Sequence, residues 1–142
     1  MNQKDCIKFA NENPVCFLAT ADGKQPRVRG MLFWFADDTG FYMQSGKIKG
    51  LYKQLKENPK AEICFFKPDQ KGGTTLRVAG DVEFLDDPKL KEKAVNDRQF
   101  LKSMGITAKD PGLLIFRIPK GVAHFWDMEN NLKPKEYINF GK

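Results

Sequence analysis

Short runs of strand length, each closed by a turn signal, dominate this chain and leave few places for helices. Residues 15–20 form an apolar run, Asp22-Gly23 turns the chain, and residues 25–35 read as the return strand of a hairpin. Asp37-Asp38-Thr39-Gly40 turns it again into a strand over 41–44. Residues 61–66 are the next strand, and a Gly/Pro loop over 67–73 leads into a strand over 74–84. Residues 112–118 and 121–126 read as a last hairpin across Pro119-Lys120-Gly121. Helical period appears in three places. Ile7, Phe9 and Ala10 suggest a short opening helix closed by Asn13-Pro14, and Ile48, Leu51, Tyr52 and Leu55 lie on one stripe ended by Asn58-Pro59. Pro88 opens the third helix at its first turn, where a missing N–H costs nothing. A doubly wound sheet needs a helix after nearly every strand. The pattern therefore predicts a mainly β chain, an antiparallel barrel of about six strands with a few flanking helices. No internal repeat, low-complexity stretch or composition break divides residues 1–142, which read as one domain.

At 142 residues the chain is long enough to bury a real core. Its twelve phenylalanines imply a tightly packed interior or an apolar subunit interface. No apolar run approaches the roughly 18 residues that span a bilayer, and the first residues carry no apolar segment of the secretory type. Cys6, Cys16 and Cys64 are odd in number and lack C-x-x-C spacing, against a disulfide framework or a zinc site. The expectation is a soluble cytoplasmic domain with reduced thiols, with no membrane partner and no metal. The net charge of +6 raises nucleic acid as a partner. The lysines are spread out, however, with no basic tail, zinc-finger spacing or recognition helix, so that partner is set aside. A small phosphorylated ligand needs only three or four such charges.

One stretch has the chemistry for that ligand. In Pro26-Arg-Val-Arg29 strand alternation puts Arg27 and Arg29 on one face, about 7 Å apart, and guanidinium forks suit bidentate phosphate contacts. Gly30 follows, where an absent Cβ lets a flat ligand approach the backbone. Ser45 stands where it can cap a helix starting near Lys47, and a helix N-terminus attracts anions. Lys47 and Lys49 are unfavourable beside that positive end unless something negative binds there. The plain alternative is that both arginines decorate a solvated strand face and both lysines point into water.

Read together, these segments resemble the pyridoxamine 5′-phosphate oxidase-like family of FMN-binding split barrels. Residues 13–29, from Asn-Pro-Val-Cys to Arg-Val-Arg, are similar to the family's opening hairpin, and residues 49–64 to the helix and strand that follow it. Thr75-Leu-Arg-Val-Ala-Gly-Asp-Val-Glu83 resembles the next strand, and His124-Phe-Trp-Asp127 falls where the last barrel strand belongs. The resemblance implies a six-stranded antiparallel Greek-key split barrel. It also implies a homodimer holding two FMN molecules at the subunit interface. It matches Arg29, Gly30 and Met31 to the strand along the flavin, Met43, Gln44 and Ser45 to the end of the next strand, and Lys47 or Lys49 to the phosphate-binding lysine. Arg77 and Trp126 match positions near the cofactor, reached across the dimer. Arg27 rests on strand alternation alone.

The departures bear on substrate. In the oxidase proper an arginine and a histidine follow the C-terminal tryptophan and hold the substrate. Here Trp126 is followed by Asp-Met-Glu-Asn-Asn-Leu-Lys, and the only histidine, His124, precedes it. Trp34 stands where the oxidase has a cofactor-contacting lysine. The expectation is an FMN-dependent oxidoreductase using a small-molecule electron donor or acceptor, with a substrate other than pyridoxine phosphate. Catalysis would rest on the flavin, since the sequence shows no nucleophile–base pair. A non-catalytic flavin carrier is the alternative. So is the same barrel holding a deazaflavin, or haem with His124 as axial ligand.

Overall fold

Asn2 starts the first helix with a reciprocal cap: its side chain accepts from the Asp5 N–H at 3.2 Å, and its own N–H donates to the Asp5 carboxylate at 2.7 Å. The computed structural model describes residues 1–141. Helix α1 (Gln3–Glu12) leads into strands β1 (Val15–Asp22) and β2 (Gln25–Leu32), then β3 (Phe35–Asp37), β4 (Gly40–Gly46) and helix α2 (Gly50–Glu57). Strands β5 (Lys60–Lys67), β6 (Thr74–Asp81) and β7 (Glu83–Phe84) follow, then helices α3 (Pro88–Asp97) and α4 (Gln99–Ser103). The described chain finishes with β8 (Leu113–Ile118), β9 (Gly121–Asp127) and β10 (Ile138–Phe140).

The strands form two antiparallel sheets, one ordered β10-β9-β6-β5-β1-β2 and one ordered β3-β4-β8-β7. They close over a shared core without joining into one continuous ladder, which makes a split barrel. Leu18, Ile63, Phe65, Leu76 and Val78 come from the larger sheet, and Phe41, Met43, Phe116 and Ile118 from the smaller. Phe33, in the crossing between the sheets, packs edge-on against Phe65 at 4.8 Å between ring centres. Cys6 and Ala10 of α1 are fully buried in the same core. A second cluster, Ala94, Val95 and Leu101 against Leu113 and Ile115, seats α3 and α4 on the far face of the smaller sheet.

The expected antiparallel split barrel is present with its strands shared between the two sheets, and two expected long strands break where the chain passes from one sheet to the other. The run over 25–35 divides after Leu32 so that Phe33 can turn inward. The run over 74–84 divides at Val82, whose N–H bonds the Pro59 carbonyl at 2.7 Å, and β7 continues in the other sheet. The expected last hairpin is not one: β8 pairs with β4 and β7, whereas β9 pairs with β6 and β10. The Pro119-Lys120 link turns a corner between sheets. A Cβ on Gly121 would collide with the Ala79 carbonyl oxygen, and only glycine permits that crossing. Strand β10 was not foreseen, being three residues long.

Helix α2 begins at Gly50, later than the apolar stripe suggested. Leu51 and Leu55 are buried, but Ile48 is 98 % exposed and lies outside the helix.

Candidate functional site

The N-terminus of α2 is left open. Its cap residue is Lys49, which makes no side-chain capping bond, and the first turn has no acidic residue. Lys47 and Lys49 are both exposed there, and among the described residues neither forms an ion pair. The Lys47 N–H is spent on the Gly112 carbonyl at 2.8 Å, which ties this turn to the start of β8. Asp86 feels the Lys47 charge, but with no acidic residue in the helix's first turn, two positive side chains at its positive end make a place suited to an anion.

Ser45 is not the cap expected from the sequence. Alternation along β4 sends Phe41, Met43 and Ser45 toward the main core, four residues short of the helix's cap position. The Ser45 hydroxyl is buried there with no hydrogen-bond partner among the described residues. A buried polar group left unmet costs about 1–3 kcal/mol.

Arg29 lies close to that helix end. Its Nη1 donates to Thr20 Oγ1 at 2.8 Å and to the Leu18 carbonyl at 3.2 Å, and its Nη2 donates to Gln54 Oε1 at 2.8 Å. The Gln54 side chain folds back along the helix, its Nε2 lying 3.4 Å from where a Cβ on Gly50 would be. Three of five N–H donors are used, all on neutral acceptors. Burial lowers the Arg29 pKa, and the Arg27 charge adds to this. Arg27 shares the face of Arg29, as alternation required, but its Nε turns to Asp22 at 3.2 Å and stays exposed.

The remaining expected positions divide between surfaces. Gly30 points outward beside Phe17, with nothing else near the position of a Cβ, so the backbone there is open to a flat ligand. Met31 is half-buried against the core. The Met43 side chain is 1 % exposed within the core and offers a ligand at most its backbone. Gln44 lies opposite Ile115, on the face covered by α3 and α4. Trp34 packs with that second cluster and donates its indole N–H to Asp97 at 2.8 Å, which ties it to α3.

Arg77 and Trp126 belong to the outward face of the larger sheet. Arg77 pairs with Glu62 at 2.6 Å and lies opposite His124, and Trp126 lies opposite Thr75 and bonds Asn131 Oδ1 at 2.8 Å. His124 is 8 % exposed and meets Tyr137 edge-on at 5.4 Å. Burial lowers its pKa, as do Arg77 and Lys135, against an opposing effect of Glu62. The structure thus brings Arg29 to the helix whose start carries Lys47 and Lys49, and keeps Arg77 and Trp126 on the sheet's opposite face.

Sequence reasoning missed Thr20 and Gln54, which hold Arg29, and Glu62, which holds Arg77. Thr20 had a signal: Cys16, Leu18 and Thr20 alternate onto the core face, where a hydroxyl wants a partner. Gln54 and Glu62 had none, because their partners are distant in sequence.

The outward face also carries unpartnered apolar side chains. Val15, Phe17, Val28 and Leu32 are all exposed on β1 and β2, with Phe17 46 % and Val28 69 % exposed. Register places them together, Val15 opposite Leu32 and Phe17 beside Val28. No described helix is long and apolar enough to cross a membrane, and no described group of acidic, histidine or cysteine side chains could hold a metal.

Among solved structures, a NimC/NimA family protein from Clostridium acetobutylicum is similar, with a TM-score of 0.80 and 28% identity over 96% of this chain and 92% of its own. General Stress Protein 26 from Bacillus anthracis str. Sterne gives a TM-score of 0.78 at 18% identity, over 99% and 100% of the two chains. A FAD-binding protein from Mesorhizobium loti gives 0.65 at 21% identity, over 88% and 94%. At the identities of the last two, the likeness is one of fold. No curated protein matches the chain. The sequence model described as pyridoxamine 5′-phosphate oxidase matches residues 3–118, most of the described chain, and the protein belongs to that family.

Proposed function

We propose that this protein binds FMN and works as a small FMN-dependent oxidoreductase. The observation that carries the reading is Arg29, a partly desolvated guanidinium without a carboxylate partner, tied through Gln54 to an uncapped helix start bearing Lys47 and Lys49. That arrangement suits one phosphate group, and the unmet Ser45 hydroxyl adds a donor beside the same turn. Family membership and a FAD-binding structural relative support a flavin. When bound, the flavin would supply two-electron redox chemistry that no side-chain pair here supplies. The chain's own part is to hold the phosphate with Arg29 and the lysines, to admit a flat ring over Gly30, and to exclude water with neighbouring apolar groups.

The working unit in this reading is a homodimer. Gly30 is exposed, so a ring lying there along β2 would stay in water unless a second chain covered it. The exposed patch of Val15, Phe17, Val28 and Leu32 fits a second copy, and a second copy would bring its own Arg77 and Trp126 toward the ligand. The substrate is a small electron donor or acceptor, such as a reduced nicotinamide, and not pyridoxine phosphate, because nothing after Trp126 supplies the arginine and histidine that would hold it.

One observation favours a flavin carrier as second reading: residues 128–137 cross over His124 and Trp126, narrowing access to that face. The visible spectrum of the purified protein, mass spectrometry of what denaturation releases, and sedimentation velocity test the main reading. A yellow dimer releasing FMN and reduced by NADH or NADPH at a useful rate is the expected result. A colourless monomer that ignores added FMN would sink the proposal, and a flavin that no donor reduces would leave the carrier.

A further inference from the structure

Glu62 of β5 and Arg77 of β6 form an ion pair on the outward face of the larger sheet. The Arg77 Nε, at 2.7 Å, and its Nη2, at 2.6 Å, both reach the same carboxylate oxygen, Glu62 Oε2. Glu62 thus takes one edge of the guanidinium fork, and the end of the fork, with Nη1, points away from the carboxylate. Arg29 differs in kind: its bonds run to neutral acceptors, so its positive charge is uncancelled, whereas Arg77 and Glu62 together sum to zero.

Register places the pair relative to the rest of that face. Gly30, Phe17, Cys64 and Arg77 stand in one row across β2, β1, β5 and β6, and His124 of β9 comes next beside Arg77. Burial lowers the His124 pKa, and Arg77 and Lys135 lower it further, so the imidazole is neutral at pH 7. Lys135 itself is exposed, and water screens its charge. Glu62 is therefore the group that decides how much positive charge Arg77 presents from this face.

We propose that Glu62 sets the redox potential of the bound flavin by cancelling the charge of Arg77. This inference rests on the flavin and dimer reading above, in which a second copy covers the face and brings its own Arg77 toward the ring. Reduction adds negative charge to a flavin, and an uncancelled guanidinium beside it, shut off from water, would favour the reduced form. The neutral pair withholds that pull, so the reduced flavin stays the stronger electron donor toward its acceptor. Glu62 acts through Arg77 as a positioning residue and needs no contact with the ligand.

The midpoint potential of the FMN-loaded protein at pH 7, read by photometric titration against a reference dye, tests the proposal. Glu62→Gln keeps an oxygen for Arg77 and removes the negative charge. The ratio of reduced to oxidised flavin at a fixed potential should rise about tenfold, an upward shift of about 30 mV for a two-electron couple. Arg77→Gln should move the potential down by a similar amount, and the neutral Glu62→Gln/Arg77→Gln double variant should return close to the wild type. Opposite signs with recovery in the double variant are a pattern that lost packing or a looser dimer does not produce. Thermal melts without flavin check that the variants fold, as expected for a partly exposed pair. A loaded wild type whose potential ignores both single changes, or moves the same way in both, overturns this inference and leaves the flavin reading standing. A wild type that takes up no FMN overturns both.

Discussion

Arg29 Nη2 donates to Gln54 Oε1 at 2.8 Å, which couples the edge strand of the larger sheet to the helix whose open end carries two lysines. The guanidinium is held in place by neutral groups before any ligand arrives. Such preorganisation removes part of the ordering cost of binding.

Replacing Arg29 with alanine should therefore weaken FMN by roughly 1.5–3 kcal/mol, a loss of about ten- to a hundredfold in affinity. Gln54→Ala should lose less, since the guanidinium stays bonded to Thr20 and Leu18. Flavin fluorescence titrations of the two variants read this order directly, and equal affinity in all three proteins would move the phosphate elsewhere.

Ser45→Ala separates ligand binding from folding. The hydroxyl is buried without a partner, so its removal should leave the ligand-free protein as stable or up to about 1 kcal/mol more stable. The same variant should bind FMN more weakly. Thermal melts without flavin and titrations with it should move in opposite directions, and a variant that loses stability without flavin would show that the hydroxyl has a partner after all.

Gly121→Ala should be among the most damaging single changes in the chain. The added Cβ would lie about 3.0 Å from the Ala79 carbonyl carbon and 3.1 Å from the Gly80 Cα, and closer still to the Ala79 oxygen. All of these are backbone atoms that cannot step aside. A loss of about 3 kcal/mol or more is expected in urea unfolding. The same change at Gly23, where nothing lies near the added Cβ, should cost less and report only the strain of φ 60°.

The strand pattern and the turn signals were enough to read β1, β2, β4, β5 and the antiparallel barrel they build. Alternation alone put Arg27 and Arg29 on one face, as the register of β1 and β2 has them. What stayed hidden is where one strand leaves a sheet for another. Residues 112–126 have the look of a hairpin because two strands flank a Pro-Lys-Gly turn. The choice of partner is made by Gly80 and Gly121 crossing closely, a contact 41 residues apart in sequence. Ile48 misled for a related reason: apolar period marks a helix face only where the helix exists, and Gly46 to Lys49 form a turn. The partner of Arg29 on α2 was out of reach for the same cause, since a strand and a helix meet there by tertiary packing.

Cys16 should make the fold sensitive to alkali. Burial pushes its thiol up to about 12 from an ordinary value of 9.0, and the nearby Cys64 adds to the effect. The protonated thiol is thus favoured in the folded state. Its contribution to stability is complete below pH 9.0 and declines as pH rises from there through about 12. Denaturant midpoints of the wild type should fall between pH 8.5 and pH 10.5, and Cys16→Ala should flatten part of that fall. A midpoint gap between the two proteins that stays constant with pH would remove Cys16 as the source.

Arg29 and Arg77 lie on opposite faces of one sheet and three strand spacings apart, about 14 Å across the ladder. In the proposed dimer, each ligand site would then take one arginine from each chain. Damage to either arginine would injure both sites of a uniform dimer. A mixed dimer of one chain lacking Arg29 and one lacking Arg77 would gather both faults into one site and leave the other whole. Two defective alleles expressed together would therefore complement each other, and this hereditary signature follows from which way two side chains point.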